Sequence, residues 1–137
     1  MVILIDTNIM IDSITIRDEE SHFSADVITL CAEGKVSGFV APHSLSNMYY
    51  ILRKQYSDRE RRKIIERFTR LLTIVITDSN IIDAALANDD ITDFEDAIQY
   101  ACAESIDADY IVTRNIQDFG NGPVKAVTPE ELLELLG

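Results

Sequence analysis

Val2-Ile3-Leu4-Ile5-Asp6-Thr7-Asn8 opens with four aliphatic residues and continues with three that carry side-chain oxygen. An apolar run of strand length, without alternation, suits a strand buried on both faces, and such strands belong to parallel sheets covered by helices. Asp6 then falls at the carboxyl end of that strand, where open parallel sheets bind their ligands. Thr7 and Asn8 can start a helix, orient Asp6 and donate hydrogen bonds, and plain capping by Asp6 and Asn8 fits the same pattern.

Outward from this strand, short β-branched runs alternate with longer helical patterns, as in βα units around a parallel sheet. Val36 to Ala41 reads as a second strand entered through Gly34 and Gly38, Thr73 to Ile76 as a third, Tyr110 to Val112 as a fourth. Val124 to Val127 reads as a short edge strand. Ser57 with Glu60 three residues later is a capping box that opens an Arg-rich helix through about Leu72. There Ile64, Ile65, Phe68, Leu71 and Leu72 recur at helical spacing and leave the arginines on the wet face. Thr128-Pro129-Glu130-Glu131 starts a C-terminal Leu-rich helix, and Ala97, Ile98, Ala101 and Cys102 mark the core face of a helix beginning near Phe94. The expected architecture is one α/β domain over residues 1–137, three αβα layers around a mostly parallel sheet of four to five strands.

The 137 residues are 47% hydrophobic and 26% charged with 5 Gly and 3 Pro, which excludes disorder and collagen-like repeats. No apolar run approaches the roughly 18 residues of a membrane span, and Met1 to Met10 lacks the basic start of a signal peptide. Cys31 and Cys102 make neither a disulfide framework nor a zinc site, and read as reduced core thiols of a cytoplasmic protein. The net charge of −12 argues against uniform adhesion to nucleic acid or anionic lipid. Yet eight of the twelve basic residues lie between Arg53 and Arg70, against three acids there (Asp58, Glu60 and Glu66). This island is either a solvated helix face or a patch for RNA phosphates, with Arg53, Lys54, Arg61, Arg62 and the more distant Arg114 as candidate contacts. Tyr49, Tyr50 and Tyr56 fit core packing, or stacking on unpaired bases.

Acids recur where strands end. Asp93 and Asp96 are three apart, on one face at the start of a helix, and Thr113, Arg114, Asn115 and Asp118 follow the fourth strand. Four segments thus aim polar oxygens at one sheet edge. Converging carboxylates repel unless neutralised, and a hard divalent cation such as Mg²⁺ or Mn²⁺ prefers their oxygens to sulfur or imidazole. Such a site can activate water against a phosphodiester. Taken singly, Asp93, Glu95 and Asp96 also fit a helix dipole, and Asp118 a turn.

Ile3-Leu4-Ile5-Asp6-Thr7-Asn8, Asp93-Phe94-Glu95-Asp96-Ala97 and Ile111-Val112-Thr113-Arg114-Asn115 with Asp118-Phe119 together resemble the PIN-domain family, which includes the VapC-type toxin ribonucleases. The resemblance runs from residue 2 to about 130. It implies a Mg²⁺- or Mn²⁺-dependent endoribonuclease, the toxin of a toxin–antitoxin pair, with RNA as substrate, a cognate antitoxin as partner and a homodimeric assembly. Carried over, the catalytic set is Asp6, Asp93, Asp96 and Asp118. Asp6 and Asp96 would be the principal metal ligands, Asp93 a supporting acid, and Asp118 or the Asn115 side chain the fourth member. Thr7, Asn8, Asn47 and Thr113 would support these from behind. The chain departs from the family pattern in Pro42-His43-Ser44-Leu45-Ser46-Asn47, where Asn47 holds a usually acidic position. An amide brings no charge and accepts protons poorly, which favours a second reading, a non-catalytic PIN-like module binding RNA or protein.

Other chemistries find less support. His22 and His43 have no partnering residues and suit surface or capping roles. No phosphate-binding glycine loop or zinc-ligand spacing occurs. A receiver-like or phosphatase-like domain with a phosphorylated Asp needs an acidic pair after an early strand, which Asp6 lacks.

Overall fold

A computed structural model describes residues 1–137. Five strands pair in parallel: β1 (Val2–Ile5), β2 (Ser37–Val40), β3 (Thr73–Ile74), β4 (Tyr110–Val112) and β5 (Lys125–Val127). Their order is β3-β2-β1-β4-β5, so the opening apolar run is the central strand.

Alternation along β1 divides the interior into two cores. Ile3 and Ile5 pack on one face with Met10 of α1 (Thr7–Ile14), Val27 of α2 (Glu19–Ala32), Met48 of α3 (Pro42–Ile51), Phe68 of α4 (Asp58–Leu71) and Leu132 of a C-terminal helix. Leu4 packs on the other face with Ile81 of α5 (Ser79–Ala87) and with Ala97 and Tyr100 of α6 (Phe94–Ser105). The C-terminal helix is α7 (Pro129–Leu136). A strand between two helical layers has no wet side, which accounts for its continuous hydrophobicity.

Both capping boxes form reciprocally, Ser57 with Glu60 at α4 and Thr128 with Glu131 at α7. A Cβ on Gly38 would lie 2.6 Å from Cys31 Sγ and 2.7 Å from Leu72 Cδ2, so its absence lets α2 and the end of α4 close onto β2. Cys31 and Cys102 are buried free thiols, and burial pushes Cys31 up to about 11. No helix is long and apolar enough to cross a membrane.

Three expectations need correction. β3 runs only to Ile74: Val75 N still donates to Val40 O, the last residue of β2, and Ile76 beyond it turns out to solvent, 88% exposed. The buried stripe of α4 is Ile64 and Phe68 continued by Leu72, four residues apart each time, so Leu71 falls to the exposed edge. Tyr56 packs on the core, whereas Tyr50 is 61% exposed.

Candidate functional site

The chain leaves β1 toward β2 and β3 on one side and reaches β4 and β5 on the other. The reversal of strand order opens a crevice at the carboxyl ends of β1 and β4. Asp6 N donates to Val112 O at 3.0 Å, continuing the ladder into that crevice. Alternation turns the Asp6 side chain to the face of Leu4, toward α6. There its Oδ1 accepts from Gln99 Nε2 at 2.8 Å and from Thr7 N at 2.7 Å, and its Oδ2 from Thr113 Oγ1 at 2.7 Å. Asp6 is thus the N-cap of α1, but capping uses only part of it. Three donors from three segments fix the orientation of a carboxylate that is 8% exposed.

Asp93 caps α6 by accepting from Asp96 N at 3.1 Å. Asp96, in the first turn, is half-buried, and its carboxyl is pushed up to about 7 by burial and then by the negative charges of Asp93, Asp6, Asp118 and Glu95. Those four charges therefore bear on one carboxyl. Asp118 does so from a 3₁₀ turn (Ile116–Phe119), whereas Asn115 is exposed and donates its backbone N–H to Thr113 Oγ1.

An open cavity of about 390 Å³ occupies the crevice. Asp6, Thr7 and Asn8 line it from the β1–α1 junction, Glu95, Asp96 and Gln99 from α6. Ile11 of α1 and Asn47, Tyr50 and Ile51 of α3 complete the lining. Asp93, Thr113, Asn115 and Asp118 stand outside this lining. Asn47 Nδ2 donates to Glu95 Oε2 at 3.0 Å, joining two walls of the cavity. His43, half-buried nearby, has its pKa lowered by burial against the pull of Glu95, Asp6 and Asp93.

No cation of the chain answers this charge, since none of the seven ion pairs includes Asp6, Asp93, Glu95, Asp96 or Asp118. Asn8 Oδ1 and Gln99 Oε1 are buried oxygens without a hydrogen-bond partner, and both residues line the cavity. Buried polar atoms are ordinarily satisfied, so two orphaned acceptors beside two carboxylates suit an electropositive occupant. The donor set is all oxygen, which fits Mg²⁺ or Mn²⁺. No three His, Cys, Asp or Glu side chains close around one point. Mg²⁺ commonly takes one or two carboxylates and keeps waters, so Asp6 and Asp96 with amide oxygens meet its needs.

Arg114, expected to grip RNA, is instead held within the fold. Its guanidinium pairs with Asp12 at 2.9 Å, Asp18 at 3.0 Å and Glu20 at 2.7 Å. In the island, Arg53 stacks 3.8 Å above the Tyr50 ring and donates to Tyr50 O, and Arg61 stacks on Tyr49 and donates to Tyr49 O. Arg62 pairs with Asp58. Lys54 makes no such contact and is exposed.

Sequence reading passed over Glu95 and Gln99 as cavity residues. Gln99 follows Asp96 by three on the same helix face, which was the available signal. The partnership of Glu95 with Asn47, 48 residues away, had none.

Fold and crevice define a parallel α/β domain with an acidic cavity, lined by no lysine or arginine, at its switch point. The sequence profile of the PIN domain matches residues 2–117, and the chain belongs to that family. Its fold is shared by VapBC2 from Rickettsia felis bound to a promoter DNA fragment, at TM-score 0.71 and 16% identity over 93% of this chain and 98% of that one. VapBC-1 from nontypeable Haemophilus influenzae matches at TM-score 0.70 and 16% identity, over 95% and 99%. Mycobacterium tuberculosis VapC20, a sarcin–ricin-loop-cleaving toxin, matches at TM-score 0.62 and 14% identity, over 80% and 86%. Among curated proteins no sequence matches the chain.

Proposed function

We propose that this protein is a divalent-cation-dependent endoribonuclease, the toxin of a toxin–antitoxin pair. The observation that carries the reading is the cavity itself. Asp6, Asp96 and two orphaned amide oxygens meet there, and no side chain of the protein neutralises them. The toxin assignment is supported by structural relatives that are VapBC complexes or a VapC toxin. A cognate antitoxin and a homodimeric assembly belong to the same proposal.

Asp6 and Asp96 would hold Mg²⁺ or Mn²⁺, with Asn8 and Gln99 offering neutral oxygens. The chemistry gained from such an ion would be a more acidic water and stabilisation of charge developing on phosphate oxygens. Thr113, Gln99 and the Thr7 N–H keep Asp6 turned into the cavity. Asp93 and Asp118 deepen the negative field without lining the cavity. Tyr50 presents an exposed ring on the wall, backed by the Arg53 guanidinium, where an unpaired base can stack. Lys54, Arg59, Lys63 and Arg67, whose side chains make no ion pair or hydrogen bond, are the cations of the island left free for RNA phosphates.

Mn²⁺ titration by calorimetry tests this without choosing a substrate, beside cleavage of total RNA. Wild-type binding that disappears in Asp6→Asn and in Asp96→Asn, with cleavage lost in parallel, is the expected result. Wild-type protein that binds no Mn²⁺ at millimolar concentration would transfer the argument to the non-catalytic module. That second reading draws on the neutral amide at Asn47 and the absence of a closed three-carboxylate cluster.

A further inference from the structure

Asn47 and Glu95 meet across the cavity in a way that helix chemistry alone does not require. Glu95 lies in the first turn of α6, where the helix dipole already rewards an acid that points to solvent. Its carboxylate is nevertheless tied to the facing helix by Asn47 Nδ2, at 3.0 Å. A carboxylate only accepts, so the amide must present its NH₂ to Glu95. This contact engages Oε2, and no hydrogen bond engages Oε1. The partnership stands in the wall of the cavity that also holds Asp6 and Asp96. Beside it Gln99, 4% exposed, keeps its Oε1 unpartnered while its Nε2 is fixed on Asp6. Two separate observations thus point into one space, a buried acceptor without a donor and a third carboxylate held at the wall.

We propose that Glu95 is an outer carboxylate of the cation site, reaching the ion through its bound waters, and that Asn47 is its positioning residue. The proposal rests on the cation-dependent reading above and names what that reading leaves open, the source of the charge that a neutral residue 47 does not bring. The pair divides two tasks, with the carboxylate on α6 and its orienting group on α3. Glu95 acts on a hydrated cation through the ion's waters, because Mg²⁺ and Mn²⁺ retain part of their hydration in such sites. Glu95 remains solvent-exposed in the cavity mouth, which keeps its desolvation cost small.

The test is Mn²⁺ affinity of the full chain, measured by calorimetry for wild type, Asp6→Asn, Glu95→Gln, Asn47→Ala and the double variant Asn47→Asp/Glu95→Gln. Glu95→Gln keeps shape and can still accept from Asn47, so the fold is preserved. Removing one charged ligand or its support should weaken Mn²⁺ about tenfold or more. The double variant moves the carboxylate across the same hydrogen bond and reverses its donor, and should restore affinity to within about threefold of wild type. Asn47→Ala, which removes the donor and leaves Glu95 in place, should also weaken Mn²⁺, a loss that an acid newly placed at 47 could not explain and that marks Asn47 as the positioning residue. Affinity unchanged in Glu95→Gln while Asp6→Asn no longer binds would overturn the role of Glu95 and leave the cation site standing. Failure of the double variant to recover would overturn the pairing of the two residues. Wild type that binds no Mn²⁺ would overturn the cation-dependent reading and this inference together.

Discussion

Thr113 and Arg114 are neighbours at the end of β4, yet they serve two acid clusters of opposite character. The Thr113 hydroxyl reaches Asp6 in the cavity, and the Arg114 guanidinium reaches Asp12, Asp18 and Glu20 on the other side. Asp12 is wholly buried, and Arg114, Arg17 and the Ser24 hydroxyl satisfy it. Hydrogen bonds from Ser21 and then Arg114 hold Asp18 near 2, so that cluster stays anionic and paired. Around the cavity no arginine or lysine plays that part, and the Asp96 carboxyl is pushed up to about 7. The first cluster binds α1, the α1–α2 connection and β4 together. The second leaves its charge to an occupant from outside. Acid clusters of similar size can therefore be told apart by whether the fold supplies their counter-charge.

The contrast between the two clusters is largest at Arg114. Arg114→Met removes the principal partner of a buried aspartate, and we expect a loss of about 3 kcal/mol in denaturant unfolding. Mn²⁺ affinity should change little, because the cavity loses none of its lining. A variant that keeps full stability would mean that water takes the place of the guanidinium at Asp12, and the two clusters would then differ less than their partners suggest.

Asp96 probes the other side through pH. Its folded carboxyl titrates near 7 against 3.8 when unfolded. Below about pH 4 both states hold the proton and Asp96 costs nothing. As pH rises from 4 to 7 the unfolded chain ionises first, and native stability falls; above 7 the penalty is complete and constant. Full shielding would make it roughly 4 kcal/mol, but Asp96 is half-buried and water screens it, so about 1–2 kcal/mol is expected. Asp96→Asn should accordingly be more stable than wild type at pH 8 and converge with it toward pH 4 in metal-free unfolding curves. Equal stability of the two proteins across that range would show that the cavity acids do not strain one another.

Sequence reading recovered the sheet because its signals are local. A strand buried on both faces reads as Val2-Ile3-Leu4-Ile5, and the two capping boxes declare themselves within four residues. The aspartates at strand and helix ends were legible for the same reason, since Asp6 and Asp93 occupy N-cap positions that any helix start would mark. What escaped depends on contacts between distant segments. Arg114 stands next to Thr113 in a polar stretch, and nothing local shows that its side chain is closed off by residues 12, 18 and 20. Asp12 interrupts an apolar helix, and only the folded chain shows the two arginines that pair with it. Asn47 reads as a loss of charge, and only the folded chain shows Glu95 beside it.

The smallest effect tests what makes Arg114 decisive. Arg17 also reaches Asp12, at 3.0 Å against 2.9 Å for Arg114. A count of ion pairs would rank the two arginines alike. Their surroundings do not, for the Arg17 side chain is 59% exposed and that of Arg114 19%. Water can take the place of an exposed guanidinium at Oδ1, so Arg17→Ala should cost about 0.5 kcal/mol in the same unfolding measurement. A cost approaching that of Arg114→Met would mean that water does not reach Asp12 even from the open side. Both arginines would then be parts of one sealed network, and the contrast with the cavity would lie in solvent access as much as in counter-charge.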